Sequence, residues 1–107
     1  MGGDLKVYKI EWSAKARISM KEIFNSIVGE SKQGATNVVN GLYDTVQKLM
    51  IFPNGYAIEP LLMGEPVTYR FIARWNWKII FVVEESRQTI LIVDIFDTRQ
   101  DHRKLKV

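Results

Sequence analysis

Cysteine is absent from the 107 residues. That excludes a disulfide, a thiolate metal site and a cysteine nucleophile together. It also fits a reducing compartment, so a cytoplasmic location is expected. Histidine occurs once, as His102, too few nitrogen donors for a zinc site in a chain with no sulfur ligand. Long apolar runs are missing too. No stretch reaches the roughly 18 residues of a membrane span, and residues 1–9 hold no apolar run of the kind that drives a signal peptide. The sequence has no phosphate-binding glycine loop, no dinucleotide fingerprint, no metalloprotease helix and no serine elbow. No cofactor is expected.

What is present suffices for one core. Hydrophobic residues make up 47% and charged residues 25%, the balance of a folded domain, and the length suits a single domain over residues 1–107. The net charge of +3 suits a nucleic acid, an acidic protein or a plain solvated surface alike.

Residues 6–12, K-V-Y-K-I-E-W, alternate apolar and polar side chains as a half-buried strand does. Ser13 follows as an N-cap, and residues 13–28 carry Ala16, Met20, Ile23, Phe24 and Ile27 at helical spacing. Gly29 is a stop, and Ser31 opens a second helix over residues 32–51 with a stripe of Ala35, Val38, Val39, Leu42, Val46 and Leu49. Phe52-Pro53 ends it. Residues 54–67, with two glycines and two prolines, read as a loop. Strands are expected at residues 69–73, 77–83 and 89–96, and strands this close in sequence form an antiparallel meander. The class is therefore α+β: an N-terminal strand, a helical hairpin, then a three-stranded antiparallel meander. Both helices should cover one sheet face, with Ile23, Ile27, Val39, Leu42 and Val46 buried, leaving the other face free for function.

Arg70, Arg74 and Lys78 lie within ten residues that hold no acid, interleaved with Trp75 and Trp77. Basic groups beside aromatic rings suit a nucleic-acid backbone and its bases, and equally a basic hairpin with tryptophans in the core. Register decides which charges cooperate. A two-residue loop sets Arg74 opposite Trp77 and sends Arg70 and Lys78 to opposite faces. A three-residue loop puts them on one face. Trp-Asn lacks the glycine usual in the tighter turn, so the longer loop is expected. Arg99, His102 and Lys104 sit in a polar C-terminal tail with Asp97 and Asp101. Arg99 could grip a phosphate with its planar fork or pair with a neighbouring aspartate. His102 could move a proton or simply be solvated. Glu59 lies in the loop sequence E-P-L, where a glutamate is usually only surface charge.

Taken in order, several features resemble the RelE/ParE superfamily of bacterial toxins over nearly the whole chain. They are the first strand closing on Trp12-Ser13 with Ala14 and Ala16 after it, the second helix ending L-x-x-F-P, Gly55, Tyr69-Arg70, the strand W-K-I-I-F-V-V, and the closing I-F-D-T-R-Q-D. The resemblance implies a two-layer fold with the helical hairpin on the sheet, and a cognate antitoxin whose tail wraps the toxin. It implies one of two targets: mRNA in the ribosomal A site, which one branch cuts, or DNA gyrase, which another poisons without being a nuclease. A degenerate member that only binds its antitoxin is the third alternative. For the nuclease branch it implies Arg70, Lys78 and Arg99 around the scissile phosphate, with Glu59 or His102 in proton transfer, and Arg74, Trp75 and Lys104 contacting the target. The tyrosine or histidine that branch carries near its C-terminus is replaced here by Asp97 and Leu105, and His102 is out of register. On that ground the gyrase alternative gains. Oligomeric state stays open, a homodimer of the isolated chain included.

Overall fold

The computed structural model describes residues 7–107, so Lys6, the first residue of the expected N-terminal strand, lies outside the described part. Strand β1 (Lys9–Trp12) leads into helix α1 (Ala14–Val28) and helix α2 (Lys32–Gln47), and strands β2 (Arg70–Arg74), β3 (Trp77–Glu84) and β4 (Thr89–Asp97) follow. The sheet order is β1-β4-β3-β2. The last three strands form the expected antiparallel meander, while β1 returns parallel to β4. Among the described residues, no helix is long and apolar enough to cross a membrane.

Each helix starts on a serine. Ser31 Oγ accepts from the Gly34 amide at 2.8 Å. Ser13 does two things at once: its hydroxyl accepts from the Ala16 amide at 3.0 Å and donates to the Val93 carbonyl at 2.8 Å. The first contact is an N-cap worth about 1 kcal/mol. The second seals the sheet. β1 pairs only with residues 89–92 of β4, so the rest of the β4 edge would stand open. α1 runs along that edge instead, and Ser19 Oγ donates to Asp94 Oδ1 at 2.5 Å. A bulge marks the changeover: Ile80 faces Asp94 and Phe81 faces Ile92, leaving Val93 unopposed.

The main core lies between helices and sheet. Met20, Ile23, Leu42, Val46 and Leu49 pack on Trp77, Ile79, Phe81, Ile90, Ile92 and Ile95. Ile27 and Val39, expected to be buried, are half-buried at its margin. α2 ends four residues before the expected end at residue 51, because residues 48–50 tighten into a 3-10 turn ahead of Pro53.

The second sheet face is not free, contrary to the expectation from sequence. Ile80 and Phe96 on it are covered by Leu62 from the loop after α2 and by Leu105 from the C-terminal tail. One apolar side chain from each of these segments carries that cover. A 3-10 turn at residues 102–104 and a bond from Lys15 Nζ to the Lys106 carbonyl fix the tail's path.

Candidate functional site

The β2–β3 turn sets the relative placement of Arg70, Arg74 and Lys78. Arg74 pairs with Trp77 and Ala73 with Lys78, so the loop is Trp75-Asn76 alone. The expected three-residue loop is therefore wrong, and with it the expectation that Arg70 and Lys78 share a face. Directly opposed residues in an antiparallel ladder project to the same side. Arg70 opposes Phe81 on the helix-covered face, while Lys78 neighbours Ile80 and opens to the other. The tight turn forms without glycine because Trp75 itself takes the left-handed conformation, φ 52°. Gly41 of α2 makes this affordable: a β-carbon there would collide with the far edge of the Trp75 indole.

Arg70 is spoken for. Its Nη1 donates to the Tyr56 carbonyl at 2.7 Å and ties the loop after α2 to the sheet. Lys78 is also committed. Its Nζ sits 2.9 Å from Glu59 Oε1 and 4.4 Å from the centre of the Phe71 ring. Glu59 is fully buried, not the surface charge a loop glutamate suggests. Its second oxygen caps the next 3-10 turn by accepting from the Leu61 amide at 3.0 Å.

Arg99 closes on Asp97, with Nε 3.1 Å from Oδ1 and Nη2 2.9 Å from Oδ2. Of the alternatives for Arg99, the aspartate pair is the one formed. The Arg99 guanidinium, helped by the Arg99 amide and by Asn76 and opposed by partial burial, pulls the Asp97 carboxyl down to about 2. A depressed acid stabilises the fold above its unfolded value and loses that contribution as pH falls through the folded one. The stability advantage of wild type over Asp97→Asn should therefore be full above pH 3.8 and shrink as pH falls toward about 2. Chemical unfolding of both proteins across that range measures it. A gap that stays constant with pH would show that Asp97 is not held in this way.

His102 is exposed and shares a small hollow of about 70 Å³ with Leu61, Lys78, Phe96 and Thr98. Arg99 and Lys104 line a separate groove of about 400 Å³ between α1 and the end of β4, with Asp94 and Trp77 in its wall. The proposed residues thus occupy four places: Glu59, Lys78 and His102 on one sheet face, Arg70 on the other, Arg99 and Lys104 beside α1, and Arg74 with Trp75 at the hairpin tip. Among the described residues, no three His, Asp or Glu side chains converge as metal ligands would. Gly41 was missed from sequence, though it left a signal. A glycine inside a strongly periodic helix costs about 1 kcal/mol against alanine, so a packing reason is expected of it.

A helical hairpin on a four-stranded sheet, with the proposed cations dispersed over it, defines a small two-layer α+β domain. The family model for the ParE toxin of type II toxin–antitoxin systems, parDE, matches residues 10–102. This chain belongs to that family. Among solved structures it is similar to a chain described as the chromosomal ParDE TA system from P. aeruginosa, at a TM-score of 0.70 and 22% identity, covering 86% of this chain and 97% of that one. At that identity the likeness speaks for the fold alone. None of the curated proteins compared with it matches.

Proposed function

We propose that this toxin arrests growth by poisoning DNA gyrase through its protein surface, without cutting RNA, and that a cognate antitoxin holds it inactive. One observation carries the choice of target: the cations a nuclease would focus on one phosphate are dispersed and occupied. Cleavage of RNA needs a base for the ribose hydroxyl, an acid for the leaving oxygen and a cation for the phosphorane, all within reach of one atom. Arg70 and Lys78 lie on opposite faces of the sheet, and Arg99 is held by Asp97. Membership in the ParE toxin family supports the same reading.

The test uses purified protein in two assays. Gyrase supercoiling should be inhibited with trapped DNA breaks, while mRNA in a translating extract stays intact. In cells, co-expression of the adjacent small open reading frame should restore growth and yield a stable complex. Cut mRNA with normal supercoiling would overturn the gyrase reading.

The ribosome-dependent endonuclease remains the second reading on one specific observation. Lys78, which holds Glu59, and His102 line the same hollow, so a base, a cation and a second titratable group stand on one face.

A further inference from the structure

We infer that the turn between β2 and β3 is the element that engages the target, with the Arg74–Trp75 pair seated against a carboxylate-bearing protein surface. This rests on the gyrase reading above and names the part of the toxin that makes the contact.

Trp75 is where the fold tolerates strain. A bulky residue at φ 52° is rare, since the left-handed region suits glycine, asparagine and aspartate. Such strain persists only where the surroundings enforce it, and it gathers at functional positions. Here the surroundings are specific. Gly41 leaves space for the far edge of the indole, and the Trp77 ring stands edge-on to it at 6.4 Å and 85°. An indole placed there for stability alone would be buried. Trp75 is instead 53% exposed. The seat grips one edge of the ring and presents the remainder to solvent at a fixed angle.

Arg74 completes the pair, with its guanidinium carbon 4.1 Å from the centre of the indole. Three of the other arginines are neutralised, Arg87 by Glu84 and Glu11, Arg99 by Asp97 and Arg103 by Asp101, while Arg17 and Arg70 donate to backbone carbonyls. Arg74 has no carboxylate within ion-pair distance among the described residues. A pre-aligned, uncompensated guanidinium beside a rigid half-exposed indole is the make-up of a protein-interface hot spot. It is a poor phosphate track, which needs several cations in a row. Asn76, the other turn residue, donates to Asp97 Oδ1 at 3.2 Å and ties the turn to the end of β4.

Three variants test this against gyrase holoenzyme, reading inhibition of supercoiling and thermal unfolding on the same samples. Trp75→Gly removes the ring while glycine takes the left-handed backbone freely. Its melting midpoint should stay within about 5 °C of wild type, while half-inhibition needs roughly thirtyfold more protein. Arg74→Ala should need about tenfold more. Gly41→Ala leaves Arg74 and Trp75 themselves unmutated and improves helix propensity. Its β-carbon displaces the indole, so inhibition should weaken in a protein of unchanged helicity.

Wild-type potency in both Trp75→Gly and Arg74→Ala would overturn the inference and leave the gyrase reading intact. So would loss of inhibition that merely follows loss of folding. If wild type leaves supercoiling untouched, the gyrase reading falls and the inference with it. Binding of wild type to bare duplex DNA that these variants lose would replace the protein partner with nucleic acid.

Discussion

Lys78→Met is expected to destabilise the fold by about 3 kcal/mol or more, and adding Glu59→Gln should recover much of that loss. Glu59 is fully buried and its carboxylate has two partners, the Lys78 ammonium at 2.9 Å and the Leu61 amide at 3.0 Å. Removing the ammonium leaves a buried charge with one neutral donor. Glu59→Gln alone should cost less, because the Lys78 side chain is 21% exposed and can turn its head to water while its stem stays on Phe71. With both changes, glutamine still accepts from Leu61 and methionine covers the ring. Urea unfolding of the two single variants and the double gives the coupling energy directly. Simple additivity of the single losses would mean that the two groups do not form a pair that matters to the fold.

That pair also shows where local reading of the sequence stops. The two helices and the meander were legible because each rests on local signals: serine caps, periodic stripes, proline after the last turn. The parallel return of β1 to β4 was not, since it depends on a contact across the length of the chain. Nor was the cover over the second sheet face. Leu105 stands alone in a polar tail, and a single leucine makes no pattern, yet it is buried against Ile80 and Phe96. α2 lost its final turn to a 3-10 segment for a reason one residue pair supplies, Phe52-Pro53, and only the exact end was missed.

The site was less legible than the fold, and Trp75 explains most of the gap. Judged by local preference, Trp-Asn should not close a two-residue turn. The turn closes because Gly41, on a different element, accepts the indole. A tertiary contact thus overrode turn chemistry, shifted the hairpin by one residue and sent every side chain of β2 to the opposite face from the one expected. Arg70 left the supposed phosphate cluster in that single step. Glu59 and Lys78 were each picked out, on resemblance, for chemistry. Their mutual bond follows from the loop's route over the sheet, which no local pattern encodes.

Arg70→Ala and Arg99→Ala should now part company, whereas a shared phosphate role predicts the same outcome for both. Arg70 makes a charge-assisted bond to the Tyr56 carbonyl from a half-buried position. Its loss should cost about 1.5–3 kcal/mol and loosen the loop that delivers Glu59 and Leu62. Toxicity of Arg70→Ala should therefore decline along with the folded fraction and return at lower temperature. Arg70→Lys, which keeps one donor, should rescue part of the stability. Arg99 is different: its side chain is 72% exposed and its ion pair lies at the surface. Such pairs are worth less than about 1 kcal/mol, so Arg99→Ala should stay folded and arrest growth as wild type does. A nuclease would lose roughly a hundredfold in rate from either change, because each arginine would stabilise charge that develops only in the transition state. Growth inhibition, circular dichroism and unfolding midpoints on the same variants separate the two accounts. A folded Arg99→Ala protein that has lost its toxicity would return Arg99 to the reacting phosphate and make RNA the target.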